Sequence, residues 1–141
     1  MAEGDDGGGR QRLDRARVLA GAMAVADAGG IDALTIRSLG QHLGVKPMSV
    51  YYYVANKDEI LDGIVDLVVE EIDLPSDEPD WKAAIRRSAI SNRDVLLRHR
   101  WASSLRMARQ SGGPAQLRHA DWTLKMLREA EIGRASCRER V

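Results

Sequence analysis

The sequence predicts an all-α protein. Apolar residues recur at three- and four-residue intervals in several separate stretches, alanine, leucine and arginine dominate, and β-branched alternation is scarce. The chain has 141 residues, room for one ordinary domain or two small ones. Its formal net charge is zero, so attraction to a polyanion has to come from local charge on one face. No stretch approaches the roughly 20 apolar residues that span a bilayer, and no charged-then-apolar start of secretory type is present. No membrane partner is expected, and a cytoplasmic location is. The single cysteine, Cys137, excludes a disulfide framework and a cysteine-based zinc site.

In chain order, residues 1–11 form a glycine-rich tail with too little apolar surface to fold. Arg10 and Arg12 either follow a nucleic-acid backbone or belong to a solvated arm. A first helix is predicted over 13–28, with Asp14 as N-cap and Leu13 and Val18 spaced as a hydrophobic staple. Val18, Ala22, Val25 and Ala26 give its buried stripe, and Gly29-Gly30 ends it.

Residues 35–57 read TIRSLGQHLGVKPMSVYYYVANK, and Ile36, Leu39 and Leu43 make one apolar stripe at helical spacing. Thr35 is placed to cap that helix, its hydroxyl accepting from the first free backbone amides. Gly44 stands where a left-handed residue ends the helix and turns the chain. Pro47 suits the first turn of a following helix, where a missing N–H costs nothing. Val50 and Val54 aim that second helix inward. Successive helical residues lie about 100° apart, so Tyr51, Tyr52 and Tyr53 cannot all be buried. Two short helices about a tight turn, with outward hydroxyls and a nearby lysine, make a helix-turn-helix that fits a DNA groove.

A longer helix is predicted over 56–72. Asn56 and Glu59 have capping-box spacing. Ile60, Ile64, Val68 and Ile72 form a stripe flanked by Leu61, Val65 and Val69. So wide an apolar face exceeds the needs of a three-helix unit, and this helix is expected to pack on something C-terminal as well. LPSDEPD, residues 74–80, is the one clear linker. Beyond it a helix is predicted over 81–98, with Trp81, Ile85, Ala89 and Leu96 on one side. A shorter one follows over 101–108. After Ser111-Gly112-Gly113-Pro114, a third covers 115–130 with Leu117, Ala120, Leu124 and Leu127 in register.

The run LDRARVLAGAMAVADAGGIDALTIRSLGQHLGV, then KPMSVYYYVANKDEILDGIVD, resembles the DNA-binding domain of the TetR family of bacterial transcriptional regulators. The matching features are the threonine-to-glycine spacing, the tyrosine after a small polar residue, and the NK that opens the next helix. WKAAIRRSAISNRDVLLRHRW resembles the start of the ligand-binding region in the tetracycline-repressor-like branch. The resemblance implies a three-helix helix-turn-helix DNA-binding domain with its connector helix over residues 12–73. The 74–80 linker then leads to an incomplete helical ligand-binding and dimerisation domain over 81–130. It also implies a ligand-responsive repressor, a homodimer at full length, on a palindromic double-stranded DNA operator. A small-molecule effector would switch it by tilting the connector helix.

By the same resemblance, Thr35, Arg37, Lys46, Pro47, Met48, Ser49, Tyr51, Tyr52, Tyr53 and Lys57 face DNA. Arg37 lies where a side chain reaches a base edge, and its fork suits the two acceptors of guanine, worth about 1–3 kcal/mol of discrimination. A surface salt bridge is the alternative. Lys46, Pro47, Met48 and Ser49 form the leading end of the recognition helix, which meets bases or phosphates first. Met48 either touches a thymine methyl or fills the core. Tyr51 matches a phosphate-binding tyrosine, Tyr52 the aromatic beside it, and Tyr53 a position that is often histidine. Lys57 matches a phosphate-contacting lysine, and Thr35 offers a hydroxyl and a helix N-terminus to a phosphate.

The basic residues between Lys82 and Arg109 are opposed by Asp94 alone; they either draw an acidic effector or form a solvated face. Asn92 is the candidate ligand-binding residue, with a neighbouring backbone carbonyl as its alternative partner. Tetracycline-binding relatives supply an asparagine for the drug and a histidine for a metal ion in this region. Ser88 and Arg106 hold the corresponding positions, so no metal or other cofactor is expected. His42, His99 and His119 share no metal-ligand spacing, and neither a phosphate-cradling glycine loop nor a nucleophile elbow is present. No enzyme is expected. The rival reading is a helical protein–protein interaction module whose helix-turn-helix is only a packing motif.

Residues 131–141, EIGRASCRERV, lack an apolar period and match, residue for residue, the translation of a common short-read sequencing adapter. They are expected to be an assembly artefact, which leaves the native sequence after about Ala130 unread and Cys137 without a role. On that expectation the chain is truncated, its dimer impaired, and Leu117, Leu124 and Leu127 uncovered.

Overall fold

Helix α1 (Arg15–Gly29) begins where the Asp14 carboxylate accepts the Arg17 amide at 2.8 Å, the bond a capping residue supplies to a helix start. The computed structural model describes residues 12–109 and 112–130. Readings placed on residues 1–11, on Ser111 and on 131–141, Arg10 and Cys137 among them, lie outside the described residues. Among those described, the other α-helices are α2 (Ile36–Leu43), α3 (Lys57–Glu70), α4 (Trp81–Arg98), α5 (Ala102–Ala108) and α6 (Pro114–Glu129). Short 3-10 helices at Ile31–Ala33 and Pro47–Tyr52 complete the regular structure. No described helix is long and apolar enough to cross a membrane.

The core is continuous from the helix-turn-helix into the C-terminal half. Val18, Ala22 and Ala26 of α1, Leu39 of α2, Val50, and Ile60, Ile64 and Val68 of α3 are buried with Val95, Trp101, Ala102 and Ala115. Helix α3 is the shared wall, as its wide apolar face predicts. A second link joins the halves through charge. Asp58, Asp62, Asp66 and Glu70 recur every four residues and so line one side of α3. Arg109 takes the first two at 2.6 and 3.1 Å. Asp66 accepts the Ala115 and Gln116 amides at 3.2 and 3.1 Å, so it caps α6 from another helix. Arg118 stands 4.0 Å from Glu70. The linker and the residue before it are also tied down: Asp73 donates its amide to Ser91 Oγ at 2.9 Å, and Trp122 Nε1 donates to the Pro75 carbonyl at 2.9 Å.

Several expectations need correcting. The second helix of the helix-turn-helix is a six-residue 3-10 helix, in which the Ser49 and Tyr53 amides donate three residues back, to the Lys46 and Val50 carbonyls. The Asn56–Glu59 box is half made. Asn56 accepts the Glu59 amide at 2.9 Å, but Glu59 reaches back one residue further, to the Ala55 amide at 2.8 Å. In α4 the most buried side is Ala84, Ser88 and Val95, while Ala89 is exposed and Trp81, Ile85 and Leu96 are half-buried. Small residues face the neighbouring helices there, and the larger apolar ones lie at the margins. In α6 the expectation agrees with the structure: Leu117, Leu124 and Leu127 are exposed, with Ala120, while Ala115 and Met126 are buried.

Candidate nucleic-acid interface

The interface is built on two close approaches of backbone. Thr35 caps α2: its hydroxyl oxygen accepts the Ser38 amide at 3.0 Å, and Ser38 Oγ accepts the Thr35 amide at 2.9 Å. Gly44 takes the left-handed conformation, φ 70° and ψ 31°, and so ends α2 without the strain a Cβ brings. The chain then folds back so tightly that a Cβ on Gly40 would stand 3.0 Å from the Val45 carbonyl and 3.1 Å from the Pro47 backbone. That contact seats the Pro47–Tyr52 segment on α2.

In a 3-10 helix residues three apart eclipse. Pro47, Val50 and Tyr53 therefore share one row, Met48 and Tyr51 a second, and Ser49 and Tyr52 a third. Val50 is fully buried and anchors the segment, while Pro47 and Tyr53 on either side of it in that row are exposed, as are Met48, Tyr51 and Tyr52. Tyr52 is 86% exposed and Met48 72%, while Tyr51 and Tyr53 lie flatter at 40% and 37%. At that exposure Met48 is not a core filler.

Lys57 follows as the first residue of α3, and its position is held by a clasp that periodicity does not reveal. Glu59 pairs with Arg15 of α1 at 3.1 Å and accepts the Ala55 amide. The Ala55 hydrogen bond, then the Arg15 bond, hold the Glu59 carboxyl below its ordinary range. Of the ten predicted DNA-facing residues, nine are exposed and Ser49 is half-buried. Among the described residues, Arg37, Lys46 and Lys57 make no ion pair. The salt-bridge alternative for Arg37 therefore has no partner there. Thr35 is less available, since its hydroxyl also donates to Ser38 Oγ at 3.1 Å.

Asn92 stands apart, on α4, where its side-chain oxygen accepts from Arg106 at 3.0 Å. It is half-buried, and its bond goes to a side chain and not to a backbone carbonyl. Burial lowers the Arg106 pKa. His119 of α6 is pushed down too, first by burial and then by the Arg106 charge. Ser88 is buried on α4.

Residues 18–64 match the family description "Bacterial regulatory proteins, tetR family". Residues 74–137 match "Tetracyclin repressor-like, C-terminal domain", a span that includes 131–137, part of the stretch expected to be an artefact. An HTH-type transcriptional regulator of Saccharopolyspora erythraea is 32% identical over 124 residues, which are 87% of this chain and 52% of that protein. The Streptomyces coelicolor TetR family protein ActR, solved in complex with actinorhodin, superposes with a TM-score of 0.78 at 32% identity, covering 85% of this chain and 57% of ActR. BioQ, solved with its double-stranded DNA operator, gives a TM-score of 0.73 at 26% identity, over 86% of this chain and 74% of BioQ. The chain spans about half the length of the curated relatives it matches. With both halves matched to one family, and the fold shared with its solved members, the chain belongs to the TetR family of bacterial regulatory proteins.

Proposed function

We propose that this chain is a cytoplasmic transcriptional regulator, a repressor, that binds a palindromic double-stranded DNA operator as a pair of copies. The observation that carries the reading is the outward set on the helix-turn-helix. Arg37, Lys46 and Lys57 have no ion partner among the described residues, and they share that unit with exposed Tyr51, Tyr52 and Met48. Unpaired cations suit phosphates, which position the protein, while Arg37 and the leading residues of the 3-10 helix suit base edges, which specify sequence. The solved operator complex of BioQ supports the same use of the fold.

The effector in this reading binds where α4, α5 and α6 meet, against Asn92 and Arg106. Arg106 is half-buried and, among the described residues, bonded only to a neutral amide, so the complement it lacks is an acidic group. Retention on duplex DNA, measured over a salt series, tests the regulator reading. Counterion release demands a steep fall of log K with log salt. Retention that salt does not change would favour the protein-interaction module instead.

A further inference from the structure

The side chain of His99, at the end of α4, is only 8% exposed. Its Nδ1 lies 2.7 Å from Asp27 Oδ1, near the end of α1, and its Nε2 lies 2.5 Å from Glu71 Oε2, just beyond α3. Trp101, which precedes α5, donates from Nε1 to the same Asp27 oxygen at 2.6 Å. Its ring meets the imidazole edge-on, with centroids 6.0 Å apart. One buried ring thus holds the ends of two helices of the helix-turn-helix half against the corner between α4 and α5.

Carboxylate oxygens accept hydrogen bonds, and a neutral imidazole has a single N–H to give. With a carboxylate at each ring nitrogen, neutral histidine would point a lone pair at one of them. Only the imidazolium donates at both ends. Asp27 keeps a donor in Trp101 whatever His99 does, whereas the Glu71 carboxylate has no other hydrogen bond among the described residues.

We propose that His99 is a proton-operated latch: as the imidazolium it fastens the ends of α1 and α3 to the α4–α5 corner, and on losing its proton it releases one arm. The groups facing it are Asp27 from α1, Glu71 from the end of α3, and Trp101 from the start of α5. Arg98 and Arg100 flank it in the chain and are exposed. Burial alone lowers the histidine pKa, but the bonds and charges of Asp27 and then Glu71 outweigh it, and the net direction is up. A raised value fixes the sign. The stabilisation is fully present below about pH 6.5, the ordinary histidine value, and is lost as pH rises through the folded value. His119, shifted down by burial, works in the opposite sense, so the latch has to be read against a variant.

The latch rests on the fold and not on the regulator reading, and its test needs no DNA. Imidazole nitrogen signals of the 15N-labelled full chain are followed against pH, folded and in urea. His99 should stay doubly protonated to a higher midpoint in the folded chain than in the unfolded one. Asp27→Asn should pull that midpoint down, which a merely space-filling histidine would not show. The stability difference between wild type and His99→Gln should shrink as pH rises through the midpoint. A midpoint at or below the unfolded value, or no response to Asp27→Asn, overturns the proposal. So does a stability difference that does not change with pH. If His99→Gln does not fold, the Asp27→Asn titration decides alone.

Discussion

Asp62 of α3 accepts from Arg109 at 3.1 Å, a bond between the connector helix and the residue that closes α5. Arg109 also reaches Asp58 one turn earlier at 2.6 Å, and both carboxylates raise its pKa. The fork thus grips two turns of α3. Asp58 is well exposed, so solvent screens that half of the pair. Arg109→Ala should cost about 1 kcal/mol, seen as a lower urea midpoint with an unchanged slope. Arg109→Lys should recover only part of it, because an ammonium lacks the planar fork. A midpoint unchanged by the alanine variant would show that apolar burial alone joins the two halves.

Gly40 is a position where an added side chain would crowd the turn. The nearest atoms to an added Cβ belong to the Val45 and Pro47 backbone, which cannot rotate away. Gly40→Ala should destabilise by about 1–3 kcal/mol, the usual cost of overpacking. It should also weaken DNA binding by shifting the Pro47–Tyr52 segment. A variant as stable as the parent would mean that the α2 contact is looser than described.

Holding and reading should separate. Arg37→Ala is expected to lose preference at one base position and keep general affinity for DNA. Lys57→Ala should weaken all sequences alike and lower the salt slope by about one phosphate contact. Binding across an operator library and a salt series measures both. The same loss profile for the two variants would defeat the assignment.

Acid should loosen the clasp under Lys57. The Glu59 carboxyl lies below its ordinary value, so its contribution is present above about pH 4.5 and is lost as pH falls through the folded value. Glu59→Gln should flatten that limb of the stability curve and leave the histidine range unchanged. Parallel acid limbs in the two proteins would refute the clasp.

Magnesium with tetracycline is expected neither to raise the melting temperature nor to release bound DNA. Ser88 is buried and Arg106 is bonded to Asn92, where the resemblance places the drug and metal ligands of tetracycline-binding relatives. Asn92→Leu, by contrast, should free Arg106 and change the response to acidic effectors. A rise of several degrees with the magnesium–drug pair would show that the correspondence of Ser88 and Arg106 is misplaced.

Local chemistry was legible wherever neighbours in the chain decide the outcome. Asp14, Thr35 and Asn56 cap helices in the structure because a side-chain oxygen reaches an amide three residues on whatever surrounds it. Gly44 is left-handed for a reason equally local. The apolar stripe of α3 was clear because Ile60, Ile64 and Val68 bury large side chains on one face. The four-residue recurrence of Asp58, Asp62, Asp66 and Glu70 was equally visible in the sequence, but its meaning depends on Arg109 and the start of α6, which arrive only on folding. The same holds for Glu59, whose partner Arg15 is 44 residues away, and for His99, whose carboxylates lie 72 and 28 residues away. Helix periodicity also cannot rank faces. In α4 the small Ala84 and Ser88 pack inward because neighbouring helices leave little room, and in α6 the leucine row faces out. The sequence alone thus determined where most helices lie and the caps that a neighbouring side chain supplies. Tertiary structure alone decided which charges meet, because a bond between distant residues depends on where the whole chain places them.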